Sequence, residues 1–265
     1  MAGSFALSEA ERRAWREDGF FVRRAAFDAR EVEELGRAAD RVREIALRLA
    51  VEGRPYEVDG NRYVDAGNVT VQLEHRPASP SLRVVEPFHG LDPLLDRLVD
   101  DPRLVEPMCD LVGTSRVGLW TDKLNFKPPH EGSGFRWHQD SPYWAHVCRH
   151  LDQLPNVMLA LDDADEANGC LRVVRGSHRH GLLPGRQGEG VLGPLFTDPR
   201  HFDQAAQVAV AMPAGSLAFF SPHTVHGSEP NRSDRMRRAM VITYQPGGFD
   251  QFKAPGRREA ATAAA

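Results

Sequence analysis

Apolar residues in the first part of the chain recur at helical spacing. Leu7-Ser8-Glu9-Ala10-Glu11 opens with a capping pattern, in which Ser8 can cap and Glu11 lies three residues on, and this amphipathic segment stops at Gly19. Phe20-Phe21-Val22 then reads as a brief strand. Asp28 with Glu31 repeats the capping spacing. Val32, Leu35, Ala39, Val42, Ile45 and Leu49 follow at three- and four-residue intervals, which predicts a long helix with one apolar packing stripe. Residues 53 to 90 break the rhythm with Gly, Pro and short apolar pieces such as Val69-Thr70-Val71, and read as loops and short strands. Asp92 to Asp100 and Pro102 to Val112 resume it as two short helices ending at Gly113, the second with proline where a first turn tolerates it.

From Arg116 the texture changes to short β-prone runs separated by Gly, Pro, Asn and Asp: 116–127, 134–140, 155–164, 169–174, 207–211, 215–220 and about 237–245. Such a series predicts antiparallel β architecture. The expected fold class is mainly β with N-terminal helices (α+β), in one domain over 1–255: a helical part at about 8–112, then a β core at about 113–247. Residues 256–265 are expected to form a disordered tail. Two irregular stretches, Pro128 to Gly134 and His180 to Asp203, interrupt the β region, and a loop as long as the second is usually a lid, a binding loop or disorder.

Length and composition narrow the class. The 265 residues suit one large domain, and a formal net charge of −4 gives no general pull toward nucleic acid. Three cysteines, Cys109, Cys148 and Cys170, are an odd number without metal-like pairing, which argues for a reducing compartment, by default the cytoplasm. Charged residues crowd positions 9 to 18, and the most apolar window, Val208 to Phe220, is broken by Pro213 and Gly215, so neither export nor membrane spanning is expected.

Candidate chemistry centres on Trp137-His138-Gln139-Asp140. On an extended strand, side chains at i and i+2 leave the same face, so His138 and Asp140 can converge. His226 would supply a third ligand. Two histidines and one carboxylate leave three positions open on an octahedral metal, as in non-haem Fe(II) oxygenases, whereas a closed zinc site wants four protein ligands. The ordinary alternative is that, among 11 histidines, a chance His-x-Asp is a loop or hydrogen-bonded core feature. Arg235, Arg237 and Arg238 follow. If 237–244 is a strand, Arg237, Ala239, Val241 and Thr243 share one face and Arg238, Met240, Ile242 and Tyr244 the other. One inward arginine would want a carboxylate, such as a dicarboxylate cosubstrate that also chelates iron. For at least two of the three arginines, a solvated turn is the plainer account.

Together with these residues, Asn125-Phe126-Lys127-Pro128-Pro129, Asn168-Gly169-Cys170-Leu171, Gly176-Ser177-His178 and His226-Gly227-Ser228 followed by Asn231 make a combined pattern. It resembles the phytanoyl-CoA dioxygenase family of Fe(II)/2-oxoglutarate oxygenases, over about residues 15 to 247. The resemblance implies a double-stranded β-helix (jelly-roll, cupin-like) core flanked by helices. It implies that His138, Asp140 and His226 bind Fe(II), that Arg237 with Ser228 holds the distal carboxylate of 2-oxoglutarate, and that Asn125 lies near that cosubstrate. Gln139 is expected to support from the opposite face, His178 to shape a turn, and His223 to neighbour the third ligand.

The resemblance further implies that 2-oxoglutarate, substrate and O2 bind in turn and that succinate and CO2 are released as an unactivated carbon is oxidised. A carboxylate at 140 favours hydroxylation over halogenation. The expected partner is a small-molecule substrate, with secondary metabolism as one setting, and neither nucleic acid nor membrane. Thr121, Tyr143 and Trp144 are candidate substrate-wall residues, 180–203 a candidate cover, and Lys127 or Arg186 candidates for meeting an anionic substrate. The family's name alone gives no basis for an acyl-CoA substrate. The rival readings are a cupin-like isomerase or hydrolase using zinc or manganese, and a non-catalytic jelly-roll binding protein.

Overall fold

The computed structural model describes residues 4–261. Helices α1 (Glu9–Asp18) and α2 (Ala29–Glu52) both begin with reciprocal capping boxes, Ser8 with Glu11 and Asp28 with Glu31, as their spacing predicts. Strand β1 (Phe20–Arg23) lies between them. Gly19, which ends α1, has φ +81, and a Cβ there would lie 2.4 Å from Nδ1 of His178, so backbone and space both require glycine.

After α2 comes an antiparallel meander of β2 (Arg54–Val58), β3 (Asn61–Ala66), β4 (Val69–Leu73) and β5 (Leu82–Glu86). Helices α3 (Pro93–Leu98) and α4 (Pro102–Val112) each start with a capping Asp followed by Pro. The remaining elements are β6 (Arg116–Lys127), β7 (Phe135–His138), the one-turn α5 (Ser141–Trp144), β8 (Asn156–Ala160), β9 (Leu171–Val174), β10 (Gln207–Val210), β11 (Leu217–Phe220), β12 (His226–Ser228), β13 (Arg237–Pro246) and β14 (Glu259–Ala261).

The strands form a jelly roll of two antiparallel sheets. The larger runs β1-β11-β8-β13-β6-β5-β4-β3-β2, with β14 also on β6, and the smaller runs β10-β9-β12-β7. Strand alternation sorts the side chains into two cores. Leu124, Phe126, Phe219, Met240, Ile242 and Tyr244 face the helices, where they meet Leu35 and Val42 of α2. Met158, Ala160, Ala218, Phe220 and Ala239 face the other way, onto Leu171 and Val173 of the smaller sheet. The functional site lies in this second space.

Three expectations are corrected. Residues 53–90 are more ordered than loops and short strands: they supply four strands that continue the larger sheet. The chain up to 112 is therefore no separate helical part, because β1 to β5 join the same sheet as the later strands while α2 to α4 cover its back. The tail expected to be disordered from 256 instead lays Glu259–Ala261 along β6, and its last four residues lie outside the described ones. No helix among the described residues is long and apolar enough to cross a membrane.

Candidate metal centre

The two sheet partners β7 and β12 bring the histidines together. His226 pairs directly opposite His138 across the ladder, and the ring centroids are 4.2 Å apart. The carboxylate arrives differently from the expected shared strand face. Strand β7 ends at His138, and Asp140, with φ −78 and ψ −30, starts the turn of α5. The N–H groups of Asp140 and Ser141 both donate to Pro222 O at 3.1 Å, which fixes this turn against the loop before β12. Oδ2 of Asp140 then lies 3.8 Å from Nε2 of His226. One ligand atom from each of His138, Asp140 and His226 lies within 4.8 Å of the others, and no other such group occurs among the described residues.

Surrounding polar groups set the chemistry of these atoms. Nδ1 of His138 is 2.7 Å from Arg136 O, and Nδ1 of His226 is 2.9 Å from Thr224 O. A carbonyl oxygen only accepts, so each Nδ1 carries the proton and each Nε2 lone pair is left for a metal. Asn156 donates through Nδ2 to Oδ2 of Asp140 at 3.0 Å, and Thr243 Oγ1 donates to Asn156 Oδ1 at 2.6 Å. Burial, reinforced by His226, pushes the His138 imidazole down to about 3. Burial opposes the charge on Asp140, yet His226, Lys123 and His138 hold its carboxyl below the ordinary value. Neutral imidazole and ionised carboxylate are the forms in which these groups ligate a metal.

A second cluster adjoins the first. Arg237 of β13 pairs with Lys127 of β6 across the ladder. The Arg237 side chain is 4% exposed, donates through Nη2 to Gly169 O at 2.9 Å, and leaves Nε without a partner. Lys127, wholly buried, donates to Ser228 Oγ at 2.7 Å and to Glu229 O. Gly169 (φ +73) makes room for both: a Cβ there would lie 2.2 Å from Glu229 O and 2.8 Å from Lys127 Nζ. Burial lowers Arg237 to about 10, and burial with the charges of Arg237 and Arg83 lowers Lys127 to about 6. Neither Arg237 nor Lys127 hydrogen-bonds a carboxylate: their partners are the Ser228 hydroxyl and the carbonyls of Gly169 and Glu229.

One cavity of about 470 Å³ joins both clusters and is lined by His138, Asp140, His226, Asn125, Ser228 and Arg237. Of the expected wall residues, Tyr143 and Trp144 line it. Thr121 does not: it is buried one step back, donating to Glu86 Oε1 at 3.0 Å. Leu192 and Phe196 of the 180–203 stretch also line the cavity, with Asp59 accepting the Leu192 N–H at 2.7 Å. Arg186 pairs with Glu189 and does not line the cavity.

A model of the phytanoyl-CoA dioxygenase family matches residues 15–239, a stretch that contains both clusters. The chain belongs to that family. An ectoine dioxygenase of Bordetella parapertussis is 33% identical over 186 residues, 63% of this chain and 58% of the relative, so the chain spans little more than half of that relative's length. The L-proline trans-4-hydroxylase of Streptomyces griseoviridis is 29% identical over 66% of this chain and 73% of its own. Among solved structures, EctD from S. alaskensis in its apoform matches with a TM-score of 0.70 at 25% identity, covering 93% of this chain and 79% of that one. The carbocyclase SnoK from nogalamycin biosynthesis shares the fold, with a TM-score of 0.66 at 23% identity over 92% of this chain and 87% of its own.

Within this phytanoyl-CoA dioxygenase family chain, Gln139, His223 and His178 all lie outside the metal-ligand group. Gln139 points away from the cavity, donating to His223 O at 2.6 Å and Gly181 O at 2.8 Å and accepting from Leu183 N–H at 2.8 Å. His223 pairs with Asp152 at 2.7 Å and is no part of the triad, and His178 lies in the turn Ser177–His180. The arginine cluster divides unevenly. Arg235 pairs with Asp165 at the surface, but Arg238, expected in a solvated turn, binds Asp162 at 2.8 Å and Asp40 of α2 at 3.0 Å.

Lys123, Glu86 and Asn156 escaped the sequence reading, and Lys127, considered there for substrate, sits at the anion cluster. Alternation along β6 carried the signal. Thr121, Lys123, Asn125 and Lys127 share one face of that strand.

Proposed function

We propose that the protein is a non-haem Fe(II)- and 2-oxoglutarate-dependent dioxygenase that hydroxylates an unactivated carbon of a small molecule. The observation that carries this reading is one cavity lined by a two-histidine, one-carboxylate group and by the buried Arg237. The donor set fits ferrous iron: two imidazole nitrogens and one carboxylate from one side, no thiolate among them, and open space opposite. His138, Asp140 and His226 would hold the metal, and Asn156 keeps the carboxylate in its rotamer. The unpartnered Nε of Arg237, with Lys127 and Ser228 beside it, suits the far carboxylate of 2-oxoglutarate.

Bound iron and 2-oxoglutarate supply the oxidising power, drawn from O2 with release of succinate and CO2. The protein's own service is positioning and exclusion of water. Tyr143 and Trp144 form one apolar wall beside the triad, and Phe196 another. Family membership and relatives named as ectoine dioxygenase and proline hydroxylase support the assignment. So does the likeness to EctD, described in one structure with 2-oxoglutarate and 5-hydroxyectoine. The three cysteines are buried and form no disulfide among the described residues, which accords with a cytoplasmic setting.

The test combines anaerobic titration of the Fe(II) protein with 2-oxoglutarate, read by visible absorbance, with succinate release in air. Wild type should bind and turn over 2-oxoglutarate, slowly even without substrate. Arg237→Ala should raise the KM for 2-oxoglutarate about 10- to 100-fold, the loss of one or two charge-assisted hydrogen bonds. His138→Ala should abolish succinate release with unchanged circular dichroism. Wild type that neither binds nor consumes 2-oxoglutarate would overturn the assignment.

A further inference from the structure

We propose that the substrate oxidised here is a small molecule with an anionic head, carboxylate or phosphonate, and that the head docks on Lys123. This rests on the dioxygenase reading above and adds the substrate class. Lys123 projects from the inward face of β6, two residues before Asn125, and lines the cavity. Its ammonium makes no hydrogen bond among the described residues. Two aromatic rings flank it: Nζ is 5.8 Å from the ring centroid of Tyr143 and 5.7 Å from that of Trp144. Those rings hold a cation without using up its donors.

The other charges around the cavity are already engaged. Glu86 accepts from Thr121 Oγ1 at 3.0 Å and faces Lys253 Nζ at 3.4 Å. Arg83 spends its guanidinium on Ser133 Oγ, Gln72 Oε1 and Gly134 O, and Arg136 pairs with Glu189. Asp140 would be committed to the metal, and Arg237 with Lys127 to the cosubstrate. Lys123 is left as a lining cation without a hydrogen-bond partner among the described residues. Burial works against its charge, and the Glu86 carboxylate on the same cavity wall works for it.

Distance and size sharpen the class. Lys123 and Lys127 are four residues apart on one strand, about 13 Å at about 3.3 Å per residue, so substrate head and cosubstrate carboxylate do not share a cation. A cavity of about 470 Å³ that must also admit 2-oxoglutarate lies toward the lower end of small-molecule sites, about 300–1,000 Å³.

The experiment uses the Fe(II) protein saturated with 2-oxoglutarate under anaerobic conditions, with probe binding read as a change in its visible absorption band. Cyclopentanecarboxylate is compared with cyclopentanecarboxamide, and ethylphosphonate with its neutral dimethyl ester. Each anion should bind about 10- to 100-fold more tightly than its neutral partner, and the pair with the larger ratio tells carboxylate from phosphonate. Lys123→Met should erase the ratio, and Lys123→Arg should restore most of it, with circular dichroism reporting folding of both. Equal binding of anion and neutral probe, a ratio that survives Lys123→Met, or anions that compete with 2-oxoglutarate would each overturn the proposal. A band absent from wild type before any probe is added sinks the dioxygenase reading and this proposal with it.

Discussion

At the scale of single residues, the His138, Asp140 and His226 group is oriented by neighbours outside it. Arg136 O and Thr224 O settle the imidazole tautomers, and Asn156 settles the Asp140 rotamer. Outer partners of this kind are worth about 10- to 100-fold in metal affinity. Asn156→Ala should therefore weaken Fe(II) binding by about that factor, measured by anaerobic equilibrium titration, with the fold retained. The triad was legible because a histidine, a carboxylate two positions on and a distant second histidine form a sparse pattern. Arg237 was separable from Arg238 by strand alternation alone. The path of Asp140 was misread as extended, although Ser141-Pro142 behind it carries a helix-start signal, proline in the first turn. Lys123 was passed over because an isolated lysine in a sequence looks like solvated surface. Only its register with Asn125 distinguishes it.

At the scale of elements, the helices were the most legible features, since caps and periodicity act locally. Asp28 accepts from the Glu31 N–H at 2.8 Å while Glu31 returns to the Asp28 N–H at 2.8 Å, and α2 carries the stripe that covers the larger sheet. Asp28→Ala should cost about 1 kcal/mol, a fall in Tm of about 2–4 °C, with no change in 2-oxoglutarate binding. Short strands were less legible. β12 has three residues with a register shift between His226 and Ser228, too few for a period-two pattern to show. Strands β2 to β5 were obscured because polar and apolar residues mix in them and burial fades toward the edge of the meander: most of β5 is buried, whereas all but the last residue of β2 are exposed. Their place in the sheet depends on pairing with β6, which is a long-range event.

At the scale of the whole molecule, the strand that presents Lys123 to the cavity presents Asp122 to the opposite, helix-covered core. Asp122 Oδ1 accepts from Phe88 N–H at 2.6 Å and His89 N–H at 3.0 Å, while Oδ2 is buried without a partner. Burial drives this carboxyl up to about 7 despite those two donors. Between about pH 4, where the unfolded chain ionises, and about pH 7, the folded state holds the extra proton, so stability falls with rising pH by up to about 1.4 kcal/mol per unit. Asp122→Asn keeps the acceptor and removes the titration. Its Tm should exceed that of wild type at pH 8 by more than at pH 4, in thermal melts across that range.

The late segment of the chain completes the cavity. Phe252 stacks on Trp120 at 5.2 Å, Lys253 faces Glu86, and β14 lies along β6. Phe252 and Lys253 thus add a late-sequence edge to a chamber whose other walls come from earlier strands and from the middle of the chain. A chain cut short before residue 252 would keep His138, Asp140 and His226 and lose part of the wall that faces Glu86.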